Sequence, residues 1–416
     1  MPMRRHGIAP IDALWGLVLL SLLCEAAAAA DWPQILGPNR DGHSRETGLN
    51  WNWGPDGPPV LWSRPVGAGF AGVAVAGNLA VLFHRVEDQE LLLALDPKTG
   101  KELWNFAAPT RYRDDFNFDP GPRCVPLIVG ETIFALGANG DLHAVEAATG
   151  KKRWHRNLRD DYAAPKGFFG VAATPILIQD RLLVNVGGPR AGIVAFDPAS
   201  GKELWKATDD PASYSSPTAA TIQGHLRAIF LTRTGLVVLD PTNGKVQFQR
   251  YFRSRLDASV NAATPLVWND QVFLTASYGV GAALWNLAGT EIEEIWANDR
   301  TLSCQYNTPV RVGDYLYGVD GRADLGNAKL RCVEWATGKI RWNRDNFGVA
   351  ALIAVDGSIL AVTEAGELVA FHADPEAYRE RARVRVLSKP TRALPALADG
   401  RLFLRDEKNL VCLNLK

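Results

Sequence analysis

Leu-Ala-Leu-Asp-Pro-Lys-Thr-Gly-Lys-Glu-Leu-Trp, at positions 93–104, decides the fold because the chain repeats it. It returns as Ala-Val-Glu-Ala-Ala-Thr-Gly-Lys-Lys-Arg-Trp at 144–154 and as Ala-Phe-Asp-Pro-Ala-Ser-Gly-Lys-Glu-Leu-Trp at 195–205. A weaker copy, Val-Leu-Asp-Pro-Thr-Asn-Gly-Lys-Val-Gln-Phe, covers 238–248, and Val-Glu-Trp-Ala-Thr-Gly-Lys-Ile-Arg-Trp covers 333–342. The glycines of these copies, Gly100, Gly150, Gly201, Gly244 and Gly338, stand 50, 51, 43 and 94 residues apart, and the last interval is two periods of 47. Gly289 and Trp296 mark the copy inside that double interval. Repetition at such a period is the mark of a stacked or radial architecture.

Each copy makes sense as a hairpin. An aliphatic, β-branched run meets Asp-Pro-x-Thr-Gly-Lys, where proline fixes φ and glycine supplies the positive φ of a tight turn. The chain returns through a strand carrying tryptophan, whose ring buries a large apolar area between sheets. A second marker runs in another phase: Pro126, Pro175, Pro217, Pro265 and Pro309 each precede an apolar run. Every period therefore reads as four short antiparallel strands, the signature of a propeller blade. Outer strands fall at Trp104, Trp154, Trp205, Phe248, Trp296, Trp342 and 379–386. Glu380 interrupts the basic residues of that last strand, which reads as a wet strand face. An eighth unit, from Pro395 to Leu415, lacks its Trp strand, whereas Val60-Leu-Trp-Ser-Arg64 has a Trp and no blade. The expectation is an all-β chain forming a single eight-bladed β-propeller of four-stranded antiparallel blades. The N-terminal strand closes the last blade and protects the sheet edges. Seven blades is the fallback if one degenerate unit does not form.

The rest of the chain sets the context. With 45 Lys+Arg against 45 Asp+Glu the net charge is zero, which argues against nucleic acid or an anionic membrane as the main partner. Arg4 and Arg5, the apolar run Leu14–Leu23 and small residues at Ala28 and Ala30 read as a signal peptide over 1–30. Lipidation at Cys24 is disfavoured because Leu23 before it is large. A Gly-, Pro- and Asn-rich arm over 31–57 is expected to lie across the surface, and 58–416 is the propeller. The mature chain is expected to be exported to the periplasm or beyond, without a transmembrane segment, and to be a monomer. Cys124, Cys304, Cys332 and Cys412 read as free core thiols, with Cys332 and Cys412 at equivalent strand positions, although three full disulfide pairings are formally open.

The Asp-Pro-x-Thr-Gly-Lys-x-x-Trp repeat closely resembles that of the pyrroloquinoline-quinone (PQQ) propeller family. Quinoprotein alcohol dehydrogenases and an outer-membrane-protein assembly lipoprotein share it. The segment Asp-Trp-Pro-Gln-Ile-Leu-Gly-Pro-Asn-Arg-Asp-Gly at 31–42 is also similar to the start of exported PQQ-like proteins. Catalysis in the family implies PQQ between a Trp floor and an adjacent-cysteine disulfide, calcium on carboxylate and amide oxygens, and an Asp base. This chain has no adjacent cysteines, and its tryptophans outside the repeat (Trp32, Trp51, Trp53, Trp268, Trp285, Trp335) mark no such floor. The resemblance therefore implies a propeller without cofactor that binds a protein or peptide segment. PQQ with calcium enters only under the alternative, a quinone-dependent alcohol or sugar oxidoreductase.

No other chemistry stands out. The seven histidines are scattered, and neither a nucleophile elbow nor a phosphate loop is present. The carboxylates Asp114, Asp115 and Asp119, and Asp160 and Asp161, read as solvated loop charge. In a propeller the segments entering the innermost strands form one rim of the central channel. The candidate ligand-binding residues are those near the marker prolines: Arg123, Lys166, Tyr214, Asn261, Gln305, Tyr306, Asn307 and Arg392. They either bind a peptide segment or small polar ligand, or hydrogen-bond loop backbones around the rim.

Overall fold

A computed structural model describes Met1 and residues 31–416. The signal-peptide and Cys24 expectations fall on 2–30, outside the described residues. The described chain forms eight four-stranded antiparallel sheets. Seven are consecutive in sequence: blades 1 to 7 over 73–109, 127–157, 176–207, 218–251, 266–298, 310–344 and 350–385. Blade 8 runs over 396–414, and the strand Val60–Pro65 completes it, with Trp62 opposite Cys412. Eight blades and the predicted closure are thus present, and the seven-blade fallback is excluded.

Burial follows strand position. In blade 3 the second and third strands, Arg181–Gly188 and Ala191–Phe196, are buried almost throughout. They are covered by neighbouring blades on both faces, so an unbroken apolar run is what they require. The outer strand Glu203–Ala207 alternates between exposed and half-buried residues, as a one-sided strand must. The basic strand Glu380–Arg385 shows the same wet alternation.

The repeat's tryptophan and glycine turn out to serve each other across blades. Six outer-strand tryptophans (Trp62, Trp104, Trp154, Trp205, Trp296 and Trp342) donate their Nε1–H to a carbonyl near the next blade's third turn, at 2.8–3.1 Å. Five of the rings cover the turn glycine itself. A Cβ on Gly100, at φ +67, would stand 2.5 Å from Trp62, and one on Gly338 would stand 2.8 Å from Trp296. The glycine is therefore demanded by left-handed backbone and by the neighbouring ring together. Hydroxyls stitch the inner edge in the same circular sense. Thr174 N donates to Ser216 Oγ and Thr264 N to Thr308 Oγ1, both at 2.9 Å.

Cys124, Cys304, Cys332 and Cys412 are free and buried. Cys332 and Cys412 occupy matching third-strand positions, opposite Trp342 and Trp62. The carboxylate expectation needs correction. Asp119 is buried, and the Asp114 side chain is only 2% exposed because it carries an ion pair. Asp160 and Asp161 lie on a one-turn helix, Leu158–Tyr162, capped by Asn157. Among the described residues no helix is long and apolar enough to cross a membrane.

The arm also departs from expectation, because it plugs the channel instead of lying across the surface. Trp32 and Val75 of blade 1 exchange two backbone bonds of 2.8 Å, and Ile128 N of blade 2 donates to Pro33 O. Buried Arg40 donates to Thr174 O at 3.2 Å, Pro217 O at 2.9 Å and Pro175 O, so it ties blades 3 and 4. Its partners are neutral carbonyls and Gln34, and burial pulls its guanidinium down to about 9. Further along, His43 Nε2 meets Arg311 O of blade 6 at 2.7 Å. Ala354 of blade 7 pairs through Gly42 O and Ser44 N at 2.9 Å, and Gly400 N of blade 8 donates to Glu46.

Candidate functional site

With one end of the channel plugged, the other becomes a blind funnel. Loops entering the inner strands and turns between second and third strands enclose a cavity of about 830 Å³, with Ile35 of the arm in its lining. The size falls within the range of small-ligand sites.

A register rule places the side chains. The residue three before each marker proline lines the cavity: Arg123, Ala172, Tyr214, Ala262, Tyr306 and Arg392 in blades 2, 3, 4, 5, 6 and 8. Blades 2, 4, 6 and 8 thus contribute large polar groups, and blades 3 and 5 contribute alanine. In blade 7, which has no marker proline, Val349, Ala350 and Ala351 line the wall.

Six of the eight predicted residues meet here: Arg123, Tyr214, Gln305, Tyr306, Asn307 and Arg392. The other two lie outside the lining. Asn261 sits four residues before Pro265, and its amide donates to Thr232 O and Phe252 O at 2.9 Å, bracing its own loop. Lys166 pairs with exposed Asp115 on the outer side of the rim. Even within the cavity some groups are engaged with protein. Arg123 binds Asp114 at 2.8 Å and the carbonyls of Gly121 and Asp119. Tyr214 Oη accepts from Phe169 N at 2.9 Å, and Gln305 Oε1 accepts from Ala323 N at 2.8 Å.

Two residues remain unengaged. Asn307 is 1% exposed, and neither atom of its amide has a partner among the described residues; the buried Tyr306 hydroxyl makes no well-formed bond there either, with the Arg392 guanidinium beside it. Burial pushes the Tyr306 phenol well above its ordinary range, so it remains a neutral donor. Unmade hydrogen bonds on buried groups are costly, which makes these atoms the strongest local pointer to a ligand.

Charges in the lining cancel locally. Arg392 pairs with Glu364 at 2.8 Å, Arg322 pairs with Asp324, and Arg123 pairs with Asp114. Asp257 is held by Arg233 and Arg253. Lys389 alone among the lining cations lacks an ion-pair partner within the described residues. Phenylalanines form the lip. Phe116 lies 5.2 Å from Phe169 and 6.3 Å from Phe118, which is 53% exposed.

Phe70, Phe118, Tyr278, Arg322, Asp324 and Glu364 complete the funnel without having been expected from the sequence. Tyr278, Arg322, Asp324 and Glu364 come from turns between second and third strands. The lengthened turn after Asp320, Gly-Arg-Ala-Asp-Leu-Gly, was the available signal.

The quinone of the related dehydrogenases does not fit these residues. PQQ is a flat tricarboxylate, yet three of the four lining cations are already neutralised by carboxylates. The lining contains no tryptophan. Among the described residues no group of three or more His, Cys, Asp or Glu could hold a metal.

Comparison with known proteins places this geometry. The family described as outer membrane protein assembly factor BamB matches residues 52–208, 88–344 and 326–414. Outer membrane protein assembly factor BamB of Burkholderia pseudomallei is 29% identical over 251 residues, 56% of this chain and 58% of the relative. Quinoprotein alcohol dehydrogenase PedH of Pseudomonas putida is 26% identical over 148 residues, 33% of this chain and 21% of the relative. The matches thus span less than two thirds of either relative's own length. The crystal structure of BamB from Moraxella catarrhalis superposes with a TM-score of 0.61 at 16% identity, over 85% of this chain and 97% of that one.

Proposed function

The chain belongs to the outer membrane protein assembly factor BamB family, and on that premise we propose that it is an exported, non-catalytic binding scaffold. Its recognition site is the blind funnel, which takes a peptide segment of a partner or a small polar ligand. The carrying observation is the unpartnered Asn307 amide beside the Tyr306 hydroxyl in a wall whose charges, Lys389 apart, are paired. Such a wall offers selective hydrogen bonds. Its carboxylates, Asp257, Asp324 and Glu364, are engaged by arginines, and the lining presents no histidine, cysteine or serine.

The non-catalytic half is tested with the purified 31–416 protein, PQQ and calcium, following dye-linked oxidation across an alcohol and sugar panel. No turnover above a heat-denatured control is expected; turnover overturns the scaffold reading. The location is tested by fractionating the native host and sequencing the N-terminus of the released protein. Asp31 as first residue is the expected outcome, and a cytoplasmic, uncleaved chain refutes export.

A further inference from the structure

The arm shows how this channel holds an extended chain. Ala354, on the inner strand Ala350–Val355, bonds Gly42 O and Ser44 N in a parallel bridge at His43. Backbone groups on a strand alternate in direction. Ala354 points its N–H and C=O at the channel, so Leu352 and Ala350, two and four residues higher, point theirs the same way. Among the described residues no loop, arm or side-chain bond reaches either residue: Gly42 packs against Leu352 O, but its N–H turns back to Leu36 O at 2.9 Å, so the arm covers Leu352 and leaves Ala350 open. This strand has six residues, whereas several other inner strands, such as Leu127–Val129 and Ile176–Ile178, have three. Above the arm, therefore, the strand edge opens into the funnel at Ala350, which lines the wall with Ala351. Blade 1 shows the same mode at Val75, where Trp32 supplies the partner strand.

We infer that the funnel binds the end of an extended, uncharged peptide, which adds as a strand to the inner edge of blade 7 at Ala350, whose N–H and C=O offer it two main-chain bonds. This rests on the binding function proposed above and names its recognition mode. Strand addition supplies affinity through main-chain bonds and leaves alternate side chains to select the sequence. Asn307, on the adjoining blade 6, has one amide acceptor and one amide donor free, which matches a peptide unit of the added strand. Phe118, Phe169 and Tyr214 offer apolar surface for outward side chains. Because the arm closes the far end, a chain cannot thread through. Only a terminus or a tight hairpin tip can enter. Local charge pairing disfavours a highly charged segment.

The test pans two phage libraries of random ten-residue peptides, one with free N-termini and one with free C-termini, against the immobilised 31–416 protein. Enriched peptides are then resynthesised with N-methyl groups on alternate amides. Strand addition requires that methylation of one parity weakens binding at least about tenfold, since two or more main-chain bonds are lost, while the other parity leaves it nearly unchanged. Asn307→Leu, which removes no protein hydrogen bond, should weaken the same peptides. Ala350→Pro, which deletes only a channel-facing N–H, should do so as well if the variant folds. Peptides that lose affinity with Asn307→Leu yet ignore methylation parity would sink strand addition and leave funnel binding standing. No enrichment over a blank resin overturns the inference. If maltooligosaccharides bind the funnel instead, peptide recognition fails but the scaffold reading survives; if neither probe binds, both fall.

Discussion

One contact at the ring closure has an energy that can be isolated. Trp62, on the N-terminal strand, covers Gly100 in the first blade, and an added Cβ there would meet the ring at 2.5 Å. Gly100→Ala then carries two separate costs. One is backbone strain at φ +67, about 1 kcal/mol. The other is displacement of the indole, roughly 1–3 kcal/mol as an overpacked contact. Gly48→Ala calibrates the first alone, because Gly48 has φ +68 and nothing within 4 Å of its Cβ position. Trp62→Ala removes a half-buried ring and its bond to Pro97 O, for about 2–4 kcal/mol. In the double variant the Cβ has no ring to strike, so only the strain of Gly100→Ala survives. Chemical unfolding of all four species should show the pair less destabilised than the sum by roughly 1–3 kcal/mol. Trp62 with Gly201→Ala is the control, since Gly201 is covered by Trp154, and that pair should be additive. Additivity within about 0.5 kcal/mol for Trp62 and Gly100 would refute the claim that the ring dictates the glycine.

Other expectations follow from buried polar groups. Arg123→Ala should lower stability by roughly 2–4 kcal/mol in thermal or urea unfolding, because it strands buried Asp114. Tyr306→Phe should leave stability unchanged within about 0.5 kcal/mol, since its hydroxyl makes no well-formed bond, while weakening any funnel ligand. Equal destabilisation by the two would contradict this division. Arg40→Met leaves three carbonyls of blades 3 and 4 unpaired and should cost about 3 kcal/mol or more, with limited proteolysis now reaching the arm. An unchanged midpoint with a protected arm would refute Arg40 as the tie. Acid and alkaline limbs have opposite origins. Burial pushes His84 and His143 down to about 4, so each stabilises above pH 6.5 and loses up to about 3 kcal/mol as pH falls towards 4. Burial raises Glu90 to about 7, so its stabilisation is complete below pH 4.5 and fades as pH rises through 7. Glu90→Gln should therefore raise the melting temperature at pH 8–9 and leave it unmoved near pH 4.5; a uniform shift would count against burial of an ionising carboxyl.

Local chemistry repeats along a propeller, and what repeats can be read. Asp-Pro-x-Thr-Gly, the Trp strand and the marker proline each encode something a hairpin needs, so eight blades and the closing strand were visible in one dimension. What could not be read are contacts made once, between parts far apart in sequence. The partner of Trp62 lies in another blade, and Arg40 meets Thr174 and Pro217 more than a hundred residues away. Asp114 looked like solvated loop charge because nothing in its neighbourhood announces that Arg123 folds back over it. At the site, proximity to the prolines was the right signal but too coarse. Position three before the proline faces the funnel. Position four is not uniform: Asn261 there turns into the loop, whereas Gln305 at the same offset still reaches the funnel.

That register explains why a cavity exists at all. Were every blade to place a large residue at the same position, eight side chains would converge and fill the channel, as small closed β-structures do. Arg123, Tyr214, Tyr306 and Arg392 instead alternate with Ala172, Ala262 and the small residues of blade 7, and blade 1 breaks the pattern with Phe70. Small residues leave room in those sectors, and the blade 7 sector carries the free strand edge at Ala350. Meanwhile the arm fixes the depth, because Ile35 and Arg40 occupy the channel below. Width set by alternation, depth set by the arm, and free hydrogen-bonding groups at Asn307, Tyr306 and the blade 7 edge all fall on the same side of the plug. Packing alone would have filled that side with larger side chains, so the funnel is better explained by what enters it than by the stability of the fold.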